Sequence, residues 1–108
     1  MPRFAANLSL LFTEYPLPQR FAQAAAAGFG AVEIQFPYDH PADVLASAAS
    51  AAGTPVILIN VPAGDLMTGG PGLASHPDRR DDFAAALPQA LHYAQTLGVP
   101  LLNILPGR

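Results

Sequence analysis

Residues 24–36 read AAAAGFGAVEIQF: a run of small helix-forming residues, a glycine, then an apolar stretch. The same order returns as ASAAGTPVILIN at 49–60 and AQTLGVPLLNIL at 94–105, so Gly28, Gly53 and Gly98 mark three equivalent joints. A glycine after a helical run suits the position where the chain turns left-handed, and Pro55 and Pro100, two residues on, forbid the helix to continue. Beyond the joints, 31–36, Val56–Asn60 and 101–105 are short apolar runs bounded by Gly and Pro, the middle one β-branched. They are expected to be strands buried on both faces. An earlier strand is expected at 3–8.

Helices fit between these strands. Pro18 sits in the first turn of one that runs to Ala27, with Leu17, Phe21, Ala24 and Ala25 on one face. Pro41 opens a second, ending at Ala52, with Asp43 at the positive end of its dipole. Ser75 is the expected N-cap of a third, with Asp78 three residues on. Its apolar face is Phe83, Leu87, Ala90, Leu91, Ala94 and Leu97, and Pro88 within it predicts a kink or a break. Alternating strands and helices with short joints specify a parallel sheet with right-handed crossovers, either doubly wound or an arc of a (β/α)8 barrel. No G-x-G-x-x-G or G-x-x-x-x-G-K-[ST] follows a strand, which removes the main support for nucleotide-binding versions of the first. A complete barrel takes about 250 residues. On the barrel reading, the 108 residues form a partial (β/α)8 barrel, strands one to four with three helices, and 1–108 is the N-terminal half of a single domain.

Composition agrees with one α/β unit that needs covering. The chain is 51% hydrophobic and only 12% charged, half the ~25% usual for soluble domains. Its five cations are all arginine and scattered, and the net charge is −3, so it has no basic patch for nucleic acid or an anionic membrane surface. There is no cysteine, hence no disulfide, thiolate metal site or cysteine nucleophile. No run approaches the ~20 apolar residues of a membrane span, and 8–12 is too short for a signal sequence, so a cytoplasmic location is expected.

In a barrel the active site lies at the C-terminal ends of the strands. Asn7, Glu33, Asn60 and Asn103 stand there among apolar neighbours. Alternation puts Asn7 with Ala5, Asn60 with Leu58 and Val56, and Asn103 with Leu101 and Leu105, while Val32, Ile34 and Phe36 leave Glu33 and Gln35 on the other face. The three amides suit hydrogen bonding to a substrate, and Glu33 suits an acid, a base or an orienting group; equally, such amides hold loops and backbone in place. No metal ligands are expected: Glu33 is the one strand carboxylate, and His40, His76 and His92 have no i,i+4 partner. No G-x-S-x-G occurs, and no catalytic residue can be assigned. The loop at 62–75, PAGDLMTGGPGLAS, exceeds the usual connection and reads as a glycine-hinged lid with Leu66 and Met67 over a pocket, or as a plain flexible loop. Arg79 and Arg80 are expected in a surface ion-pair cluster with Asp78, Asp81 and Asp82.

Read together, RFAANLSLLFTEYP (3–16), GFGAVEIQFPYD (28–39), NVPAGD (60–65), PDRRDDF (77–83) and ALHYAQTLGVPLLNIL (90–105) resemble the N-terminal part of the hydroxypyruvate isomerase family, in the xylose-isomerase-like TIM barrel superfamily. The resemblance runs along nearly the whole chain but weakens in the loop, where Leu66 and Gly69-Gly70-Pro71-Gly72 replace a Trp and a Gly-Glu-Arg-Gly stretch. It implies an aldose–ketose type isomerisation of hydroxypyruvate to tartronate semialdehyde, in carbohydrate and glyoxylate metabolism. It also implies a divalent metal, Mg or Mn, and two glutamates in the full-length family. Those ligands belong to later strands and have no counterpart here, so the chain alone is expected to bind no metal and to be inactive. Asn7, Phe36, Asn60 and Asp65 match substrate-side positions, with Glu33 behind them. The partner implied is a small keto acid. Alternatives are an isomerase or epimerase of another short keto acid or sugar, and a non-catalytic half-barrel that self-associates through its open sheet edges. Abasic-site endonucleases share the superfamily, but the charge argues against a nuclease.

Overall fold

A computed structural model describes residues 3–107, so the outermost ends of the 1–108 span lie outside the described residues. The order is β1 (Ala5–Asn7), α1 (Leu17–Ala26), β2 (Ala31–Ile34), α2 (Ala42–Ala52), β3 (Val56–Asn60), 3₁₀ turns at Leu66–Thr68 and Pro77–Arg79, α3 (Arg80–Leu97) and β4 (Leu101–Asn103). The strands form one sheet in the order β1-β2-β3-β4, every neighbour parallel. This is the expected arc of a partial barrel, with β3 filling its expected run and the other three strands shorter than theirs.

The three joints close alike. Gly28, Gly53 and Gly98 have φ of 96°, 71° and 69°. The next amide then donates to the carbonyl five residues back: Phe29 to Ala24 at 3.0 Å, Thr54 to Ala49 at 3.1 Å and Val99 to Ala94 at 2.8 Å. This is a Schellman closure, which satisfies carbonyls that the helix end would otherwise leave bare. A Cβ on any of the three would meet no atom within 4 Å, so glycine answers here to backbone conformation and not to space.

All three helices cover one face of the sheet. Ala6, Leu8, Val32, Ile34, Val56 and Ile59 are buried there against Phe21 of α1, Leu45 of α2 and Tyr93 of α3. The other face is not covered, so the expectation of burial on both faces fails: Leu101 on β4 is 58% exposed. The consequence shows in the total. A monomer of this mass exposes about 5,700 Å², whereas this chain exposes 6268 Å². β1 and β4 are the edges of the sheet. No helix of the described residues is long and apolar enough to cross a membrane.

Four local expectations need correction. Val56 does not share a face with Leu58 and Asn60. Val32 pairs with Val56 but Glu33 with Leu58, so Ile57 is an extra residue, and Val56 stays on the helix side with Ile59. Ser75 does not cap α3, because the Pro77–Arg79 turn intervenes and the helix starts at Arg80 with no side-chain cap. Pro88 does not break α3, which is continuous through it. Pro88 and Ala84 are both on the exposed side, where water can take the carbonyl that the proline leaves unbonded. Of the expected face of α3, Ala90 and Ala94 are buried and Phe83, Leu87 and Leu97 pack partly buried against the core, but Leu91 is 50% exposed, and Ala86 and Tyr93 are buried in addition. Small residues let this helix approach closely, which seats Tyr93 in the core.

Two classes of substitution are expected to separate in chemical denaturation. Alanine at Gly28, Gly53 or Gly98 should cost a similar amount each, about 1–2 kcal/mol, from the left-handed backbone alone. Phe21→Ala should cost about 3–5 kcal/mol through lost burial and a cavity. Unequal glycine costs would show that the joints are not equivalent.

Candidate functional site

Because Ala6, Leu8, Val32, Ile34 and Ile59 face the helices, their alternating neighbours face the open side of the sheet. The parallel register puts Asn7 beside Glu33, Glu33 beside Leu58, and Asn60 beside Asn103. At the C-terminal ends of the strands these side chains line a cavity of about 450 Å³, with Gln35, Phe36, Leu105 and Met67 completing the wall. That size suits a small molecule. Asn7, Phe36, Asn60 and Glu33 are therefore brought together, and so is Asn103. Gln35, Leu58 and Leu105 share the face by strand periodicity. Met67, 64% exposed, overhangs it from the 3₁₀ turn of the following loop.

The polar groups are tied to the strand ends. Asn7 Oδ1 accepts the Ser9 amide at 2.9 Å, and Ser9 Oγ accepts the Gln35 amide at 2.9 Å, which links the loop after β1 to the end of β2. The Asn60 amide donates to the Gln35 carbonyl at 3.0 Å. Asn103 Nδ2 donates to Asn60 Oδ1 at 3.0 Å. This last bond leaves Asn60 Nδ2 as a donor and Asn103 Oδ1 as an acceptor, a complementary pair for a ligand carrying both a carbonyl and a hydroxyl. Asn60 is 8% exposed, one of the few buried polar residues among the described residues. Its main-chain carbonyl accepts the Tyr38 hydroxyl, a contact that sequence reading missed because no local pattern joins residues 22 apart.

Asp65 stands elsewhere. It is not among the cavity-lining residues. Its Oδ1 accepts the Gly72 amide at 3.2 Å and its Oδ2 the Arg79 guanidinium at 3.2 Å, while its carbonyl accepts the Gly70 amide at 2.8 Å. A Cβ on Gly70 would lie 2.1 Å from the Asp65 carboxyl carbon, so only glycine allows this close wrap. Arg79 thus pairs with Asp65 across the loop and not with the neighbouring aspartates, contrary to the surface cluster expected. Among the described residues no three His, Cys, Asp or Glu side chains gather to hold a metal ion.

The Gly72 amide, and beyond it the Arg79 guanidinium, hold the Asp65 carboxyl below the usual aspartate range, against a smaller upward push from desolvation. A carboxylate depressed in the folded state contributes fully above its unfolded value and is lost as pH falls through the folded one. The tether should therefore be intact at neutral pH and release only below the ordinary aspartate range. Nuclear magnetic resonance of the Gly72 amide should follow that titration, and Asp65→Asn should shift the same amide at neutral pH. An amide that ignores both changes would remove Asp65 as the organiser of the loop.

Comparison with known proteins supplies the family. The chain is 44% identical over 107 residues to a 2-oxo-tetronate isomerase of Cupriavidus necator, a match over 99% of this chain and 41% of that protein. It is 41% identical over 108 residues to a hydroxypyruvate isomerase of Escherichia coli, covering 100% of this chain and 42% of the relative. The chain thus spans about two-fifths of the length of the relatives it matches. A crystal structure titled AP endonuclease, family 2, from Brucella melitensis superposes with a TM-score of 0.92 at 45% identity, over 99% of this chain and 42% of that one. A family model described as xylose isomerase-like TIM barrel matches residues 21–108. With four parallel strands in barrel order and its polar side chains gathered at their C-terminal ends, the chain belongs to the xylose isomerase-like TIM barrel family.

Proposed function

We propose that this chain forms the amide-rich wall of the substrate site in an isomerase of short hydroxy-keto acids, with hydroxypyruvate and tartronate semialdehyde as the interconverting pair. The observation that carries this reading is the convergence of Asn7, Glu33, Gln35, Asn60 and Asn103 on one cavity. Such a substrate presents a carboxylate, a carbonyl and a hydroxyl on three carbons. Asn60 Nδ2 donates to its carbonyl or carboxylate oxygen, Asn103 Oδ1 accepts from its hydroxyl, and Glu33 serves as an acid, a base or an orienting group beside them. Isomerisation removes a proton from the hydroxyl-bearing C3, passes through an enediolate and returns a proton to C2. Oriented donors lower the cost of the developing oxyanion.

The divalent ion that the family resemblance implies requires several converging carboxylates or imidazoles. The cavity offers one, Glu33, and the donor set does not fit the ion, so no step is routed through it in this chain. For the same reason the second proton-transferring group of a two-base isomerisation is absent from this wall, and the chain by itself orients substrate without turning it over. The isomerase names of the two relatives support an isomerase reading over a nuclease one. So does a net charge of −3 with no lysine, which disfavours a phosphate backbone. Another short keto acid or sugar acid is the second reading, favoured by the 2-oxo-tetronate isomerase name of the relative at 44% identity.

Titration of the ¹⁵N-labelled chain with hydroxypyruvate should move the side-chain amide signals of Asn7, Gln35, Asn60 and Asn103. Asn60→Ala should weaken binding about tenfold, the loss of one buried hydrogen bond. Incubation with Mg²⁺ or Mn²⁺ and hydroxypyruvate should yield no tartronate semialdehyde above buffer. Unmoved amides at millimolar ligand would overturn the substrate reading, and turnover would overturn the inactivity of the isolated wall.

A further inference from the structure

Tyr38 lies just after β2, and its hydroxyl donates to the main-chain carbonyl of Asn60 at the end of β3. The phenol does not stand alone. Tyr93, from the buried face of α3, meets it edge to face with ring centroids 4.9 Å apart and planes at 72°. The Tyr93 hydroxyl donates to the His40 carbonyl at 2.6 Å and lies 3.5 Å from the Tyr38 carbonyl, so it grips the backbone on both sides of Asp39. Burial first, and the neighbouring Tyr93 second, push the Tyr38 phenol far above its ordinary range, so it remains a hydrogen-bond donor at any physiological pH.

We propose that Tyr38 is a positioning residue for the cavity: braced by Tyr93, its hydroxyl fixes the Asn60 carbonyl and thereby the direction in which the Asn60–Asn103 amide pair faces. The Asn60 backbone is already held on its amide side by the Gln35 carbonyl, and the next amide, Val61, donates to the Asn103 carbonyl at 2.9 Å. The Tyr38 bond adds the remaining restraint from the helix side of the sheet. An amide pair with one internal hydrogen bond has two ways round, and only one presents Asn60, which is buried, as donor and Asn103, at the open edge strand, as acceptor. Fixing the Asn60 carbonyl fixes the backbone from which its side chain projects, and with it the place from which the pair faces the cavity. A buried tyrosine hydroxyl needs a partner in any case; what sets Tyr38 apart is the carbonyl it takes, that of Asn60, whose side chain lines the cavity.

This role rests on the substrate reading of the cavity only for its consequence, and the experiment separates the two. Tyr38→Phe keeps the ring and removes the hydroxyl. In the ¹⁵N-labelled chain it should displace the side-chain amide signals of Asn60 and Asn103 and weaken hydroxypyruvate binding about tenfold. Leu17→Ala, an apolar truncation on α1, should lower the melting temperature and leave both signals in place. Tyr93→Phe, which loosens the brace but spares the Tyr38 hydroxyl, should displace the same signals less, and it carries the test if Tyr38→Phe does not fold. Signals unmoved by loss of the hydroxyl, or moved equally by Leu17→Ala, would overturn the positioning role. If the wild-type chain ignores hydroxypyruvate while Tyr38→Phe still displaces the amides, the substrate reading fails and the positioning role stands.

Discussion

The packing of three helices against one face of a four-stranded parallel sheet decides nearly everything else in this molecule. Once Ala6, Leu8, Val32, Ile34 and Ile59 are committed to the helix side, the period of two commits their neighbours to the other. The polar residues among those neighbours, Asn7, Glu33, Asn60 and Asn103, then have one place to go. Outside β3, the pleat decides which strand residues stand on the cavity's face of the sheet. The cavity is the complement of the hydrophobic core, read through the pleat.

One irregularity makes this work. Four consecutive apolar residues of β3, Val56 to Ile59, run up to Asn60, and strict alternation would put Val56, Leu58 and Asn60 on one face. Regular pairing from Val32 opposite Val56 would then turn Ile59 towards the helices only by bringing Val56 out of the core. The extra residue at Ile57 resolves the conflict: Val56 and Ile59 are both buried, and Leu58 and Asn60 both face the cavity. A bulge next to a site is a common way to re-aim one strand against its neighbours.

What the sequence disclosed, it disclosed through local rules. The joints at Gly28, Gly53 and Gly98 are legible because a left-handed helix stop depends on one residue and its immediate flanks. The strand-end amides are legible because alternation needs only neighbours. The bulge at Ile57 is illegible because it is decided by the register of two strands, and each strand alone is regular. Tyr38 and Tyr93 are illegible for a related reason. They meet across 55 residues, and α3 carries a leucine-rich stripe that outweighs Tyr93 in any count of apolar periodicity, although Tyr93 and Ala86 are buried beside that stripe's Ala90 and Ala94 while Leu91 is exposed. Likewise Arg79 has nearer acids in sequence than Asp65, and only the 3₁₀ turn before α3 swings it back across the loop.

That swing bears on how the loop after β3 can act. A lid closing as one body would have to break the Asp65 contacts with Gly72 and Arg79, since these join its start to its end. It would also have to lift Leu73, which is buried with Val61 and Ala90. Both ends of the segment are therefore pinned to the body of the fold. Between them, Leu66–Thr68 is a single 3₁₀ turn ended by Gly69 at φ 99°, with Met67 exposed above the cavity. Methionine is flexible and adapts its shape to what it covers. A change confined to the Met67 side chain would alter the roof of the cavity at the cost of rotamer freedom alone, whereas a hinge at the glycines would first have to give up an ion pair and a buried leucine. The carboxylate of Asp65, held by Gly72 and Arg79, thus separates a fixed frame from an adaptable roof.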